Sequence, residues 1–150
     1  MPGDPERTMR TSRILPFAPA AIYGAFASPD LLASWWGPQG FANTFEAFEF
    51  REGGRWQFVM HGPDGKRYAN ECIFTRLVPA QQVVIRHSCA PLFTLTVDLA
   101  AVSGGTRLDW AQVFDDAETA QAVRAIVEPA NEQNLDRLIR ALAGAPQRGP

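Results

Sequence analysis

LFTLTVDLAAVSGGTRLDWAQVF, residues 92–114, alternates apolar and polar side chains on both sides of one glycine-rich turn. Successive side chains of a strand point to opposite faces. That spacing puts Phe93, Leu95, Val97 and Leu99 on one face and Thr94, Thr96 and Asp98 on the other. After the Ser-Gly-Gly turn, Leu108, Trp110, Gln112 and Phe114 share a face in the same way. The same period runs back to residue 41. NTFEAFEF (43–50), RWQFVMH (55–61), YANECIFTRL (68–77) and QVVIRHS (82–88) read as strands, separated by the turns EGGR, GPDGK and VPAQ. Consecutive strands joined by short turns predict an antiparallel meander.

On both sides of this block the period becomes helical. TSRILPF (11–17) predicts a first strand, with Pro16 placing it at an edge or at the strand's end. Pro19 stands where a helix can start, and Ile22, Tyr23 and Phe26 form its stripe. Ser28-Pro29-Asp30 punctuates, LLASWW begins a second short helix, and Gly37-Pro38 ends it. Beyond Phe114, Asp116 reads as an N-cap, with Asp115 its neighbour. Ala120, Val123 and Val127 share one face, and Leu135, Leu138, Ile139 and Leu142 form an apolar stripe up to Gly144. Pro129 inside this run predicts a kink or a new helix. The order is α+β: a strand, two short helices, five or six antiparallel strands, then a long C-terminal helix. A sheet wrapped around such a helix leaves room for a ligand between them.

The chain has 150 residues, 46% of them apolar and 20% charged, with a formal net charge of -2. One domain over 11–143 is expected, with a flexible N-terminus at 1–10 and a flexible tail at 144–150. No basic run marks a nucleic-acid surface, and no apolar run approaches a membrane span or a signal peptide, so a cytoplasmic protein is expected. Cys72 and Cys89 form no CxxC and read as free thiols.

WWGPQGF (35–41), the segment from EFREGG to LVPAQQVVI, GTRLDWAQVF and NLDRLIRAL resemble, in order and spacing, the SRPBCC superfamily. This is the START-like, Bet v-like group, and the nearest branch is similar to the domain related to the activator of the ninety-kilodalton heat-shock chaperone's ATPase. The resemblance covers roughly 11–143. It implies a helix-grip fold with a deep apolar cavity between the last helix and the sheet. Relatives include lipid-transfer domains, birch-pollen-type allergens and aromatic polyketide cyclases, and many of them pair, which allows a homodimer. In many relatives a Gly-Trp pair opens the last helix. Ala130 and Asn131 stand there in this chain, which implies a larger and more polar pocket.

The residues offer no catalytic constellation. His61 and His87 lack metal-ligand spacing, and no GxSxG, P-loop or GxGxxG occurs, so neither a metal nor a cofactor is expected. Glu46 and Glu49 fall on opposite faces of their strand. His87 shares parity with Val83 and Ile85. It reads either as a hydrogen-bonded strand-end residue or as an inward acid or base, with Tyr68 the other candidate. Cys72 reads as a packed thiol or a pocket-lining residue.

Trp56, Phe58, Met60, Phe93, Trp110 and Phe114 form an aromatic face that fits plain core packing or a cavity wall. Asn70 and Gln112 share parity with apolar faces and are candidate polar anchors. The expected cavity residues are therefore these eight with Trp36, Cys72, His87, Asn131 and Leu138. Binding of a small hydrophobic or aromatic molecule is the leading reading. The alternatives are a polyketide cyclase or dehydratase, and a chaperone-contacting stress-response domain that rests on family naming alone. Adjacent tryptophans cannot share a face, so Trp35 is expected to anchor the short helices and Trp36 to sit at the cavity mouth.

Overall fold

The computed structural model describes residues 4–144. Its elements are β1 (Thr8–Leu15), α1 (Pro19–Ala27), α2 (Pro29–Trp35), β2 (Ala42–Phe48), β3 (Arg55–His61), β4 (Arg67–Val78), β5 (Gln82–His87), β6 (Phe93–Val102), β7 (Gly105–Phe114) and α3 (Ala117–Gly144). The seven strands form one antiparallel curved sheet in the order β1-β7-β6-β5-β4-β3-β2. This is the helix-grip α+β fold. The first strand begins at Thr8, not residue 11. Thr8 to Arg10 pair with Val113 to Ala111, and Met9 is buried, so these three residues belong to the sheet. The expected flexible ends at 1–3 and 145–150 lie outside the described residues.

Register carries the sequence alternation across the sheet. Trp56 faces Cys72, Cys72 faces His87, His87 faces Phe93, and Phe93 faces Phe114, in one row over five strands. The next rows hold Phe58 with Asn70, and Ile85 with Leu95 and Gln112. All these side chains stand on the face toward α3.

Two cores hold the helix there. The large core gathers Leu15, Ile22, Phe26, Trp35, Trp56, Phe74, Val97 and Leu108 beneath Leu135, Leu138 and Leu142. A small core joins Met9 and Phe114 to Ala120, with Val123 and Val127 against it. Each buried leucine of the stripe contributes roughly 1.5–3 kcal/mol. Asp116 caps α3 as expected, with its carboxylate accepting the Thr119 N–H at 2.8 Å, and this bond first of all holds that carboxyl below the usual range. Asp115 instead pairs with Arg86 at 2.7 Å. Pro129 neither ends α3 nor starts a new helix, because the 28-residue helix runs through it. Proline removes one helical hydrogen bond, and packing on a core at each end keeps the two halves in one element.

Candidate ligand cavity

The helix bridges the gap between the two cores, and a partly open cavity of about 250 Å³ lies under the bridge. Its floor is sheet: Phe58 and Met60 from β3, Asn70 and Cys72 from β4, Ile85 and His87 from β5, Phe93 and Leu95 from β6, Trp110 and Gln112 from β7. Its roof is Val127, Ala130, Asn131 and Asn134 of α3. Trp36, Gly37 and Pro38 close one side and Pro91 another.

The side wall is the WWGPQGF stretch, and α3 holds it through its backbone. Arg137 donates from Nη1 to the carbonyls of Trp36, Gly37 and Pro38 at 3.1, 2.9 and 2.8 Å. Its Nη2 donates to those of Ser34 and Phe41 at 3.1 and 2.9 Å. Asn134 donates to the Trp35 carbonyl at 2.8 Å, and Asn43 of β2 to the Ala33 and Trp36 carbonyls at 3.0 and 2.9 Å. A loop leaving a helix presents unpaired carbonyls, and these three side chains satisfy them. Burial first, then the neighbouring Arg140, pull Arg137 below the ordinary arginine value, yet a guanidinium stays charged at neutral pH. Gly37 has φ +94, a conformation that favours glycine, and a Cβ there would come within 2.6 Å of the Met60 Cε and push that flexible side chain aside.

The two tryptophans meet edge-on, with ring centroids 5.6 Å apart, yet their outer faces reach different surroundings. Trp35 is fully buried, donates from Nε1 to the Ala25 carbonyl at 3.1 Å, and meets Phe26 edge-on with ring centroids 5.0 Å apart. Trp36 is half-buried, lines the cavity, and lies against Trp56 and Trp110 at 5.0 and 6.0 Å.

His87 is the titratable ring inside the cavity. It stacks on Phe93 with centroids 4.5 Å apart and an 8° tilt. Its Nδ1 lies 2.7 Å from the Pro91 carbonyl, and its Nε2 lies 2.7 Å from the Asn70 Oδ1 and 3.6 Å from the Cys89 Sγ. Two oxygens favour a doubly protonated ring, while burial disfavours charge. Burial is the larger effect and sets the ring below its ordinary value. Burial likewise pushes the Cys72 thiol well up, so it lines the wall as an inert, uncharged group. At the helix side, the Asn131 Nδ2 donates to the Gln112 Oε1 at 3.0 Å. The Nε1 atoms of Trp110 and Trp56, both fully buried, have no hydrogen-bond partner among the described residues.

The cavity thus brings together ten of the expected residues: Trp36, Phe58, Met60, Asn70, Cys72, His87, Phe93, Trp110, Gln112 and Asn131. Three stand elsewhere. Trp56 is sandwiched between Phe58 and Phe74 with centroids 4.3 and 5.7 Å away, inside solid core. Phe114 fills the small core beneath Ala120. Leu138 lies about one turn past the last roof residue, Asn134, packed in the large core. Parity placed each on the correct face but could not locate the gap along that face. Tyr68, the other proposed acid or base, is exposed and lies against Phe41, outside the cavity. Ala130 and Asn131 are mid-helix roof residues, not a helix start. Arg137 and Asn43 went unnoticed because nothing in a linear pattern marks a side chain that caps a loop about 100 residues away, or one 7 to 10 residues back on the chain.

A second hollow of about 400 Å³ lies outside, between β1 and α3, lined by Arg10, Thr11, Arg124, Glu128 and Glu132 among others. Its Arg124 and Glu128 already pair at 2.9 Å, and it lacks the aromatic walls of the inner cavity. Among the described residues, no group of His, Cys, Asp and Glu side chains is placed to hold a metal ion.

Solved structures share this architecture. A protein from Nitrosomonas europaea superposes with a TM-score of 0.86 at 18% identity, covering 95% of this chain and 98% of that one. One from Rhodobacter sphaeroides gives 0.84 at 25% identity, covering 97% of each. The AHSA1 protein from Silicibacter pomeroyi gives 0.75 at 22% identity, covering 91% of this chain and 97% of that one. No curated protein matches the chain. Residues 16–143 match the sequence profile of the family described as activator of Hsp90 ATPase homolog 1-like protein, over the whole span that builds α1 to α3 and the cavity between them. By this match, the chain belongs to the activator of Hsp90 ATPase homolog 1-like family.

Proposed function

We propose that the protein binds one small, largely apolar aromatic molecule in the inner cavity and performs no chemistry on it. The carrying observation is a void of about 250 Å³ walled by Trp36, Phe58, Phe93 and Trp110. Cores close-pack unless something prevents it, and here the α3 bridge and the Arg137-held loop keep the walls apart. The family's fold supports a ligand-binding or co-chaperone-like domain in general terms. Among the described residues the exposed large apolar ones are Ile14, Tyr68, Leu92 and Ile126, on β1, β4, the β5–β6 loop and α3, so no single described element presents an apolar face to a chaperone. The cyclase reading draws support from His87 alone, with no second acid or base beside it in the cavity. Two free cysteines fit a reducing compartment, and no helix among the described residues is long and apolar enough to cross a membrane.

The test is titration with N-phenyl-1-naphthylamine, an uncharged dye that brightens in apolar surroundings, with native mass spectrometry of freshly purified protein alongside. Saturable uptake at one site per chain is expected, weakened by filling the cavity through Cys72→Phe. Absence of saturable uptake together with an adduct-free mass would refute the reading.

A further inference from the structure

We infer that the cavity is built for an uncharged aromatic carbonyl compound, a flat ring system carrying an acceptor oxygen. The inference rests on the binding reading above and narrows it to a chemical class.

The lining contains no Asp, Glu, Lys or Arg. The cation nearest the cavity wall, Arg137, commits both terminal nitrogens to five backbone carbonyls. A carboxylate or ammonium entering this space would shed its water and meet no standing counter-ion, since burial holds His87, the one imidazole of the lining, toward its neutral form, and such a burial is among the costliest in a protein. The ligand is therefore neutral. Its ring system follows from the walls: Trp36, Phe58, Phe93 and Trp110 present aromatic surface around the void. A dry cavity of ~150 Å³ takes up benzene, so about 250 Å³ accommodates a bicyclic ring with a small substituent.

The acceptor oxygen follows from the donors left over on β7. Among the described residues the Trp110 N–H is buried without an acceptor, as is that of Trp56 in the solid core, and of the two only Trp110 belongs to the cavity lining. The Gln112 oxygen is occupied by Asn131, which orients the amide and leaves its NH₂ unengaged among the described residues. Both residues are buried, both line the cavity, and they stand two apart on one strand face, roughly 7 Å along the sheet. Buried donors in native proteins nearly always find a partner. Two spare donors and no charge on one wall match a carbonyl oxygen, which accepts through two lone pairs and donates nothing.

The experiment compares three ligands with one ring system by displacement of N-phenyl-1-naphthylamine at pH 7.5. They are 2-acetylnaphthalene, its isostere 2-isopropylnaphthalene, and 2-naphthoate. The ketone is expected to bind about fivefold tighter than the isopropyl compound, the scale of one neutral hydrogen bond. The naphthoate is expected to bind at least ~tenfold weaker than the ketone. Gln112→Leu and Trp110→Phe should each draw the ketone-to-isopropyl ratio toward one, and agreement between them guards against a misfolded variant. Naphthoate binding as tightly as the ketone, or an isopropyl compound matching it, overturns the inference while leaving an aromatic-binding cavity intact. Failure of all three ligands and of the dye overturns the inference and the cavity reading together.

Discussion

Replacing Arg137 tests whether α3 builds one wall of the cavity from outside. Its guanidinium donates to five carbonyls between Ser34 and Phe41. Charge-assisted bonds contribute roughly 1.5–3 kcal/mol each, and five of them would sum to about the whole net stability of a domain. That sum overstates the loss, because several acceptors keep other partners. Trp36 retains Asn43, Pro38 retains the Phe41 N–H at 3.2 Å, and the Ser34 carbonyl lies where water reaches it. The Gly37 carbonyl, part-buried, has no second donor among the described residues, and stranding it alone costs roughly 1–3 kcal/mol. With the loss of the Phe41 bond, Arg137→Met should destabilise by about 3 kcal/mol in urea unfolding. It should also loosen Trp36 and Pro38 and so weaken dye uptake severalfold. Arg137→Lys should recover at most half the stability, since a point ammonium cannot span carbonyls that a planar fork reaches. A cost under ~1 kcal/mol for the methionine variant, or full recovery by lysine, would show that the loop holds itself and that the clamp is incidental.

The tryptophan pair should separate by role. Trp35→Ala costs ~3–5 kcal/mol in thermal or urea melts, whereas Trp36→Ala costs less and reduces dye affinity more. Equal melts with unchanged dye affinity would make both structural plugs. His87, held below its ordinary value of 6.5 by burial, favours the native state fully above that pH. As pH falls through 6.5 the unfolded chain binds the proton first, so stability declines toward the lower folded value. Wild-type protein should therefore lose more Tm between pH 7.5 and 5.5 than His87→Asn, and parallel loss would refute the assignment. Asn131→Trp should fill the space under the helix and break the bond to Gln112, lowering dye affinity more than ~tenfold by the same displacement assay. Undiminished affinity would place the ligand away from the roof.

The fold was legible because periodicity survives folding when one face of each element is buried. Alternation in 92–114 predicted the β6–β7 hairpin, and the Leu135, Leu138 and Leu142 stripe predicted the face of α3 that packs on the large core. Charge patterns and motifs carried much less. Pro129 pointed to a kink or a new helix, and no new helix starts there. Thr8 to Arg10 lacked an apolar alternation strong enough to be read as strand, yet the β7 edge supplies their hydrogen bonds. The cavity was legible only to the level of a face. Whether Phe58 or Trp56 borders empty space depends on where a helix lifts off the sheet, a property of side chains on three elements at once. The Arg137 clamp was not legible at all, since its partners are backbone atoms that any sequence supplies.

The position of the cavity follows from how the two cores divide the helix. Residues 121–130 of α3 are half-buried at most, while Asn134, Leu135, Leu138 and Leu142 are buried in the second half. The first half therefore gains little from packing, and it also carries the proline that forfeits a hydrogen bond. Its hold comes from Ala120, Val123 and Val127 on the small core, from Gln121 and Arg124 donating to the Glu6, Thr8 and Pro5 carbonyls, and from continuity with the large core at the other end. A span supported at its ends lies above the sheet between them, and Ala130 there is too small to reach down. The sheet beneath cannot rise, since Cys72, His87 and Phe93 are fixed in register across three strands. Neither side can close the gap without breaking a core, so the void persists without a ligand to prop it. A bound ring would touch Val127 and Ala130 from below and add the apolar contact that this half of the helix lacks. On the proposed function, ligand binding and docking of the α3 first half would be coupled through the same few side chains, each stabilising the other.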